Sequence, residues 1–319
     1  MKKIFAIVLM LCLALTCVAA TAEESATAGH KVGFIQLTLQ SNYHATMSDH
    51  FAEIAEAAGM EAVMTNAEWA TDAQLQLCED LIAQGCEAII LNPVGDEVVP
   101  VVLAQCQAAG IPLFCVDNTS PGDGYTYIGI DNFAIARGIG QYVGAKYGSG
   151  NVVYARSTAT DTGCPAFRFG GLMGGLSDEG EVAGYKIIDE RYANEVTYDE
   201  GMRQMEEMLA ANDNIDIVFC HRDGQALGAL TAIANAGADV KVVTGFDGEL
   251  ELLQQIKEHA GGANGCDVVT GLNSPVMVAD MTMSALEIYF GGGDVASSYY
   301  TPVVIVTNEN VDEYMDYGF

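Results

Sequence analysis

The stretch "IDIVFCHRDGQALGALTAI", residues 215–233, opens as an apolar run of strand length and closes with the apolar spacing of a helix. At the change of period stand His221, Arg222 and Asp223. Polar and charged side chains at the end of a buried strand are costly unless something pairs with them. A strand that runs into a helix through such a junction is one βα unit of a parallel sheet, and sheets of that kind bind ligands beyond the carboxyl ends of their strands.

The unit recurs along the chain. Strands are predicted at 31–37, 61–65, 87–91, 111–116 and 125–130, with helices around 44–58, 72–84 and 97–109 between them. Thr71 is the expected N-cap of the second helix, and Gly59, Gly85 and Gly110 stand where helix ends need a left-handed residue. After a helix at 132–147 and the turn "GSG" the pattern starts again. Strands follow at 151–155, 184–189, 215–220, 240–245 and 267–271, and helices at 166–179, 198–211, 224–236 and 248–259. The fold class is therefore α/β, with two Rossmann-like lobes built on parallel sheets. A helix at 276–290 returning to the first lobe makes a three-crossing hinge, near Asp131-Asn132, near Asn273 and at 292–298, with a strand at 301–306 finishing in the second lobe. The expected N-terminal lobe is 31–131 plus 274–297, and the C-terminal lobe is 132–273 plus 298–319.

Composition narrows the function. Residues 1–22 read as a removable signal peptide: "MKK", an apolar run from Ile4 to Val18, then Ala20-Thr21-Ala22. The chain is expected to be exported, to a periplasm or a cell surface. Lipid anchoring through Cys17 is the alternative, although Ala14-Leu15-Thr16 suit such a cleavage site poorly. Without residues 1–22 the chain keeps 11 basic against 43 acidic residues, a formal charge of −32. That surface repels phosphate backbones and anionic lipid, which argues against nucleic acid as a partner. Seven cysteines remain, an odd number without CxxC or Cys/His metal spacing, so buried free thiols are expected.

The residues that follow the strands are polar. Ser41 to His44 follow the first, Asn92-Pro93 the third and Asp117-Asn118 the fourth; Arg222-Asp223, Phe246-Asp247 and Asn273 follow strands of the second lobe. Groups from both lobes thus converge on one place.

Taken in order, "ILNP" (90–93), "IPLFCVDN" (111–118), "GIDN" (129–132), "ALGAL" (226–230), "VVTGFDG" (242–248) and "NSP" (273–275) resemble the periplasmic sugar-binding proteins of ribose-binding type, the solute receptors of ABC importers. The likeness runs over about residues 31–310. It implies the type 1 periplasmic binding protein fold, a monosaccharide or polyol held between the lobes, an ABC transporter permease as partner, a monomer, and no cofactor. It also implies that Tyr43 and His44 set rings against the sugar, that Asp117 and Asp247 accept its hydroxyls, and that Asn273 adds an amide at a crossing. Arg168, in "RFGGL" (168–172), fits the family's Arg-x-x-Gly-Phe helix start with Leu172 in place of Phe, and is a candidate for ligand contact beside the alternative of a structural pairing with a helix or the other lobe. Ser41, Asn118, Arg222, Asp223 and Phe246 complete the candidate set. Asn118 and Ala166 stand where such proteins often carry Arg, and Arg222-Asp223 where they carry Asn-Asp, which points away from ribose itself. Arg222 is expected to donate to ligand oxygens, steadied by Asp223.

These residue types suit the chemistry. A carboxylate accepts two hydroxyl bonds, Asn both donates and accepts, and charge-assisted bonds in a dry cleft exceed neutral ones. Trp69, in the loop after the second strand, reads as a packing residue away from this site, and His221 as pointing away from it. "GIGQYVG" (138–144) lies inside a helical pattern and "GGLMGG" (170–175) lacks a Lys-Ser/Thr ending, so neither is read as a phosphate loop. No catalytic or metal residue is assigned. The alternatives are a signal receptor for chemosensing, including one for a furanose-like molecule, and a secreted carbohydrate-active enzyme using the paired carboxylates. A sugar-responsive transcription factor is set aside, since a helix-turn-helix head is missing and an export signal is present.

Overall fold

Alternation along each strand decides which helices cover which face of its sheet. In the computed structural model, which describes residues 25–161, 163–178, 184–258 and 265–319, Val32 and Phe34 of β1 (Lys31–Gln36) enter one apolar cluster and Ile35 another. Ile90 and Ile89 of β3 (Ala88–Leu91) divide the same way. The first cluster is closed by α1 (Asn42–Ala57) and α9 (Pro275–Phe290), the second by α2 (Thr71–Ala83) and α3 (Val99–Ala109). With β2 (Glu61–Asn66), β4 (Leu113–Val116), β5 (Thr126–Gly129) and β11 (Ser298–Tyr300), the strands form a parallel sheet in the order β2-β1-β3-β4-β5-β11.

The second lobe repeats this order. Its sheet runs β7-β6-β8-β9-β10-β12, from β6 (Gly150–Thr158), β7 (Tyr185–Ala193), β8 (Ile217–Cys220), β9 (Val242–Asp247), β10 (Asp267–Leu272) and β12 (Ile305–Val306). One face carries α4 (Asn132–Tyr147) and α5 (Cys164–Asp178). The other carries α6 (Tyr198–Ala211), α7 (Asp223–Ala236) and α8 (Leu250–Glu258). β12 pairs antiparallel with β10, so this sheet is not wholly parallel. The signal peptide and Cys17 lie outside the described residues.

The chain passes between the sheets after β5, after β10 and between β11 and β12. The third passage differs from the expectation. Ser298–Tyr300 pair with Tyr127–Gly129 in the first sheet, so residues 298–300 leave the second lobe and the passage falls at 301–304. Pro302, without an N–H, sits in that passage, and the strand expected over 301–306 shrinks to Ile305–Val306. Thr71 is the first helical residue, with Ala70 at the N-cap.

The glycine-rich stretches serve packing. A Cβ on Gly171 would lie 2.3 Å from the Phe133 carbonyl oxygen, and one on Gly175 2.1 Å from that of Arg137. Gly140 would meet the Leu172 carbonyl at 2.4 Å, so α4 and α5 touch backbone to backbone. Six cysteines are buried free thiols, and Cys164 is half-buried. Among the described residues no helix is long and apolar enough to cross a membrane.

Gly175→Ala is expected to lose roughly 1–3 kcal/mol of stability through this overpacking. Gly174→Ala, whose Cβ would meet only the Phe133 ring at 3.7 Å, is expected to gain roughly 0.5–1 kcal/mol from helix propensity. Urea unfolding of the two variants, read by circular dichroism, checks the opposite signs.

Candidate functional site

The carboxyl ends of both sheets face a cleft of about 860 Å³. In the first lobe β1 leads to Ser41, which caps α1 with extended backbone and makes no side-chain capping bond. The first turn of α1 then presents Tyr43 and His44 to the cleft. β4 runs straight into Asp117, whose φ of 58° is left-handed. Its neighbours hold it there: its N–H donates to the Ile128 carbonyl at 3.0 Å, and Asn92 Nδ2 lies 3.4 Å from Oδ2. Tyr43 Oη lies 3.2 Å from Oδ1, and His44 Nε2 3.4 Å from Oδ2. Burial opposes ionisation of Asp117, but the bonds from His44, Asn92 and Tyr43 outweigh it and keep the carboxyl below its ordinary pKa. Asn118 is tied to the same loop through its Nδ2, which donates to the Pro93 carbonyl at 2.9 Å.

The second lobe mirrors this arrangement. β9 ends in Asp247, again with positive φ, 126°. Its Oδ1 accepts from Arg168 Nη2 at 3.0 Å and from Asn273 Nδ2 at 3.1 Å. Arg168 is buried; its Nε donates to Asn132 Oδ1 at 2.9 Å and its Nη1 to the His221 carbonyl at 2.8 Å. Arg222 Nε is 4.0 Å from Asp247 Oδ2, on a half-exposed side chain that reaches into the cleft. Tyr43 joins the lobes, since its hydroxyl is also 3.0 Å from Asn273 Oδ1. One phenolic proton is thus shared by two acceptors. Burial, with the charges of Asp117 and Asp247, raises the phenol well above its ordinary pKa and keeps that proton in place.

Comparison with known proteins decides the family. A model described as "periplasmic binding protein domain" matches residues 32–292. The chain belongs to the periplasmic binding proteins. A ribose import binding protein of Bacillus subtilis is 24% identical over 87% of each chain. The D-xylose-binding periplasmic protein of Escherichia coli is 25% identical, over 99% of this chain and 98% of its own. The solved arabinose-binding component from Shewanella sp. ANA-3, with bound L-arabinofuranose, has a TM-score of 0.73 at 25% identity, covering 90% of this chain and 94% of that one.

Within this periplasmic binding protein, Ser41, Tyr43, His44, Asp117, Asn118, Arg168, Arg222, Asp247 and Asn273 all line the one cleft. Two expected residues do not. Asp223 is fully buried, its Oδ2 accepting from the N–H groups of Gly248 (2.6 Å) and Glu249 (2.8 Å) and its Oδ1 from Thr270 Oγ1 (2.6 Å). It therefore braces the turn after β9 and does not steady Arg222. Burial, then the charges of Asp247 and Glu249, push its carboxyl up to about 8. Phe246 is buried beneath Arg168, whose guanidinium carbon lies 3.6 Å from the ring centroid. It supports the arginine from below.

Residues missed by sequence reasoning also border the cleft, among them Trp69, Asn132, Cys164, Phe167, Glu249 and Phe319. Trp69 was expected away from the site. Its loop bends back at Glu68 (φ 50°) and Trp69 (φ 64°), and the Trp69 N–H donates to the Leu37 carbonyl at 2.8 Å beside the end of β1. Its position on the same carboxyl edge as the other candidates was the available signal. His221 is buried and absent from the cleft lining; burial, then Arg168 and Arg222, lower its imidazole to about 2.

Asp223→Ala is expected to cost roughly 1–3 kcal/mol for each buried donor it strands, measured by denaturant unfolding. A second expectation follows from His221. Below pH 6.5 the unfolded chain takes up a proton that the native state refuses until about 2, so stability falls with acidification. His221→Leu should remove about 2 kcal/mol of the wild-type stability loss between pH 7 and pH 5, measured by unfolding at both values.

Proposed function

We propose that the protein is an exported, monomeric receptor that captures a neutral sugar or polyol in this cleft and delivers it to an ABC transporter permease. The observation that carries the reading is the pair of strand-end carboxylates, Asp117 and Asp247, one from each lobe and each with acceptor capacity left. Asp117 Oδ1 shares its single nearby phenolic proton with Asn273. Asp247 Oδ2 has, among the described residues, only the Arg222 Nε at 4.0 Å. Ligand hydroxyls satisfy such acceptors, and an analogue lacking one leaves an acceptor stranded. Tyr43, His44, Trp69 and Phe167 supply apolar surface for C–H faces. Arg222, which has donors and no acceptor, takes ligand oxygens. Asp96 and Glu251 add negative charge to the lining, which disfavours sugar acids. The names of the relatives, which bind ribose, xylose and L-arabinofuranose, support this substrate class. Ligand bridging both lobes favours their closed arrangement, and that difference is what a permease reads.

A thermal-shift screen over D-ribose, D-xylose, L-arabinose, D-allose, myo-inositol and D-glucuronate tests the reading. A neutral sugar or polyol at 100 times its Kd should add about 2.7 kcal/mol to native stability, while glucuronate adds little. Failure of every neutral compound would sink the proposal. With the ligand found, Arg222→Asn should weaken it tenfold or more, about 1.4 kcal/mol, and Asp117→Ala and Asp247→Ala by more; calorimetric titration measures all three.

A further inference from the structure

The segment that closes the described chain belongs to the second lobe by its backbone and to the first by one side chain. Two short 3-10 turns, Val311–Glu313 and Met315–Tyr317, run along the second lobe. Val311 is part of that lobe's core, and Tyr314, Met315 and Tyr317 pack against it. Ser274 Oγ donates to the Tyr317 carbonyl at 2.7 Å, and the Leu250 N–H donates to the Phe319 carbonyl at 3.1 Å. A Cβ on Gly318 would lie 3.0 Å from Leu253 Cδ1, so the backbone is pressed against α8. The Phe319 ring leaves this setting. It packs against the first-lobe cluster around Phe34 and Met47 and meets the Tyr43 ring edge-on, with centroids 5.3 Å apart and planes at 85°.

Tyr43 is the residue whose hydroxyl spans Asp117 and Asn273. Its ring meets His44 edge-on at 5.2 Å and Phe319 in a second edge-on contact. Edge-to-face pairs have an angular preference, so two of them fix the ring and aim its hydroxyl. His44 comes from the same helix; Phe319 is the contact supplied by the other lobe. We propose that Phe319 is a positioning residue for ligand capture, a second-lobe ring that seats Tyr43 of the first lobe and couples its hydroxyl to the lobe arrangement. Separation of the lobes then unseats the tyrosine, and the cleft offers its acceptors in register only when the ring is home. The inference rests on the sugar-receptor reading for its affinity test alone.

The experiment uses the chain without residues 1–22, as wild type, Phe319→Ala, Phe319→Leu, Tyr43→Phe, and Phe319→Ala combined with Tyr43→Phe. Small-angle X-ray scattering without sugar comes first. Phe319→Ala should give a larger radius of gyration with unchanged circular dichroism, and a profile superimposable on wild type overturns the proposal whether or not any sugar binds. The probe for affinity is whichever of D-ribose, D-xylose or L-arabinose the wild type holds. Phe319→Ala should weaken it about tenfold in the wild-type background and no more than twofold in Tyr43→Phe, because the hydroxyl being positioned is already gone. Equal losses in the two backgrounds, or Phe319→Leu matching wild type, would make the ring an apolar filler and overturn the positioning role. If none of the three sugars binds the wild type, the affinity comparison is not made, and the scattering comparison alone decides the inference.

Discussion

Arg168 is a charge taken out of water, and the second half of the cleft is assembled around what that charge requires. Its three donor groups reach three separate elements: Asn132 at the start of α4, the His221 carbonyl at the end of β8, and Asp247 at the end of β9. The Phe246 ring lies beneath the guanidinium and gives it a polarisable floor. A buried ion pair of this kind contributes little beyond an apolar replacement, yet removing one partner costs roughly 3–5 kcal/mol because the other is stranded. The arginine thus sets the orientation of the carboxylate, and Asn273 passes that orientation on to Tyr43.

The two lobes repeat more than a strand order. Each places a carboxylate at a strand end in a backbone conformation that L-residues avoid, Asp117 at φ 58° and Asp247 at φ 126°. Strain of this sort costs on the order of 1–3 kcal/mol per residue and persists only where surrounding bonds over-determine it. Here they do: each aspartate is held by backbone and side-chain bonds to a neighbouring strand end. The reward is aim, since a left-handed residue turns its side chain out of the strand's alternation and toward the gap.

How much of this was legible in the sequence follows from the range of the interaction concerned. Apolar period, glycine stops and strand-end polarity are local signals, and they located the elements to within a few residues, along with nine of the eleven candidate side chains on the cleft. Arg222 and Asp223 show where local signals end. Adjacent residues at a strand-to-helix junction point in different directions, and one reaches the cleft while the other turns inward to N–H groups 25 and 26 residues away. Phe246 was misplaced for the same reason, because its partner arginine lies on a distant helix. β11 was missed because three residues carry too little pattern, and its register with β5 is purely tertiary.

The three passages between sheets have a mechanical meaning. Two bodies joined by one tether tumble freely, and joined by two they can still twist. With three strands of chain side by side, after β5, after β10 and between β11 and β12, bending about their common line is the soft motion and the others are stiff. A molecule built this way has one principal internal coordinate, the angle between its lobes, and any contact that bridges the two lobes acts on that coordinate.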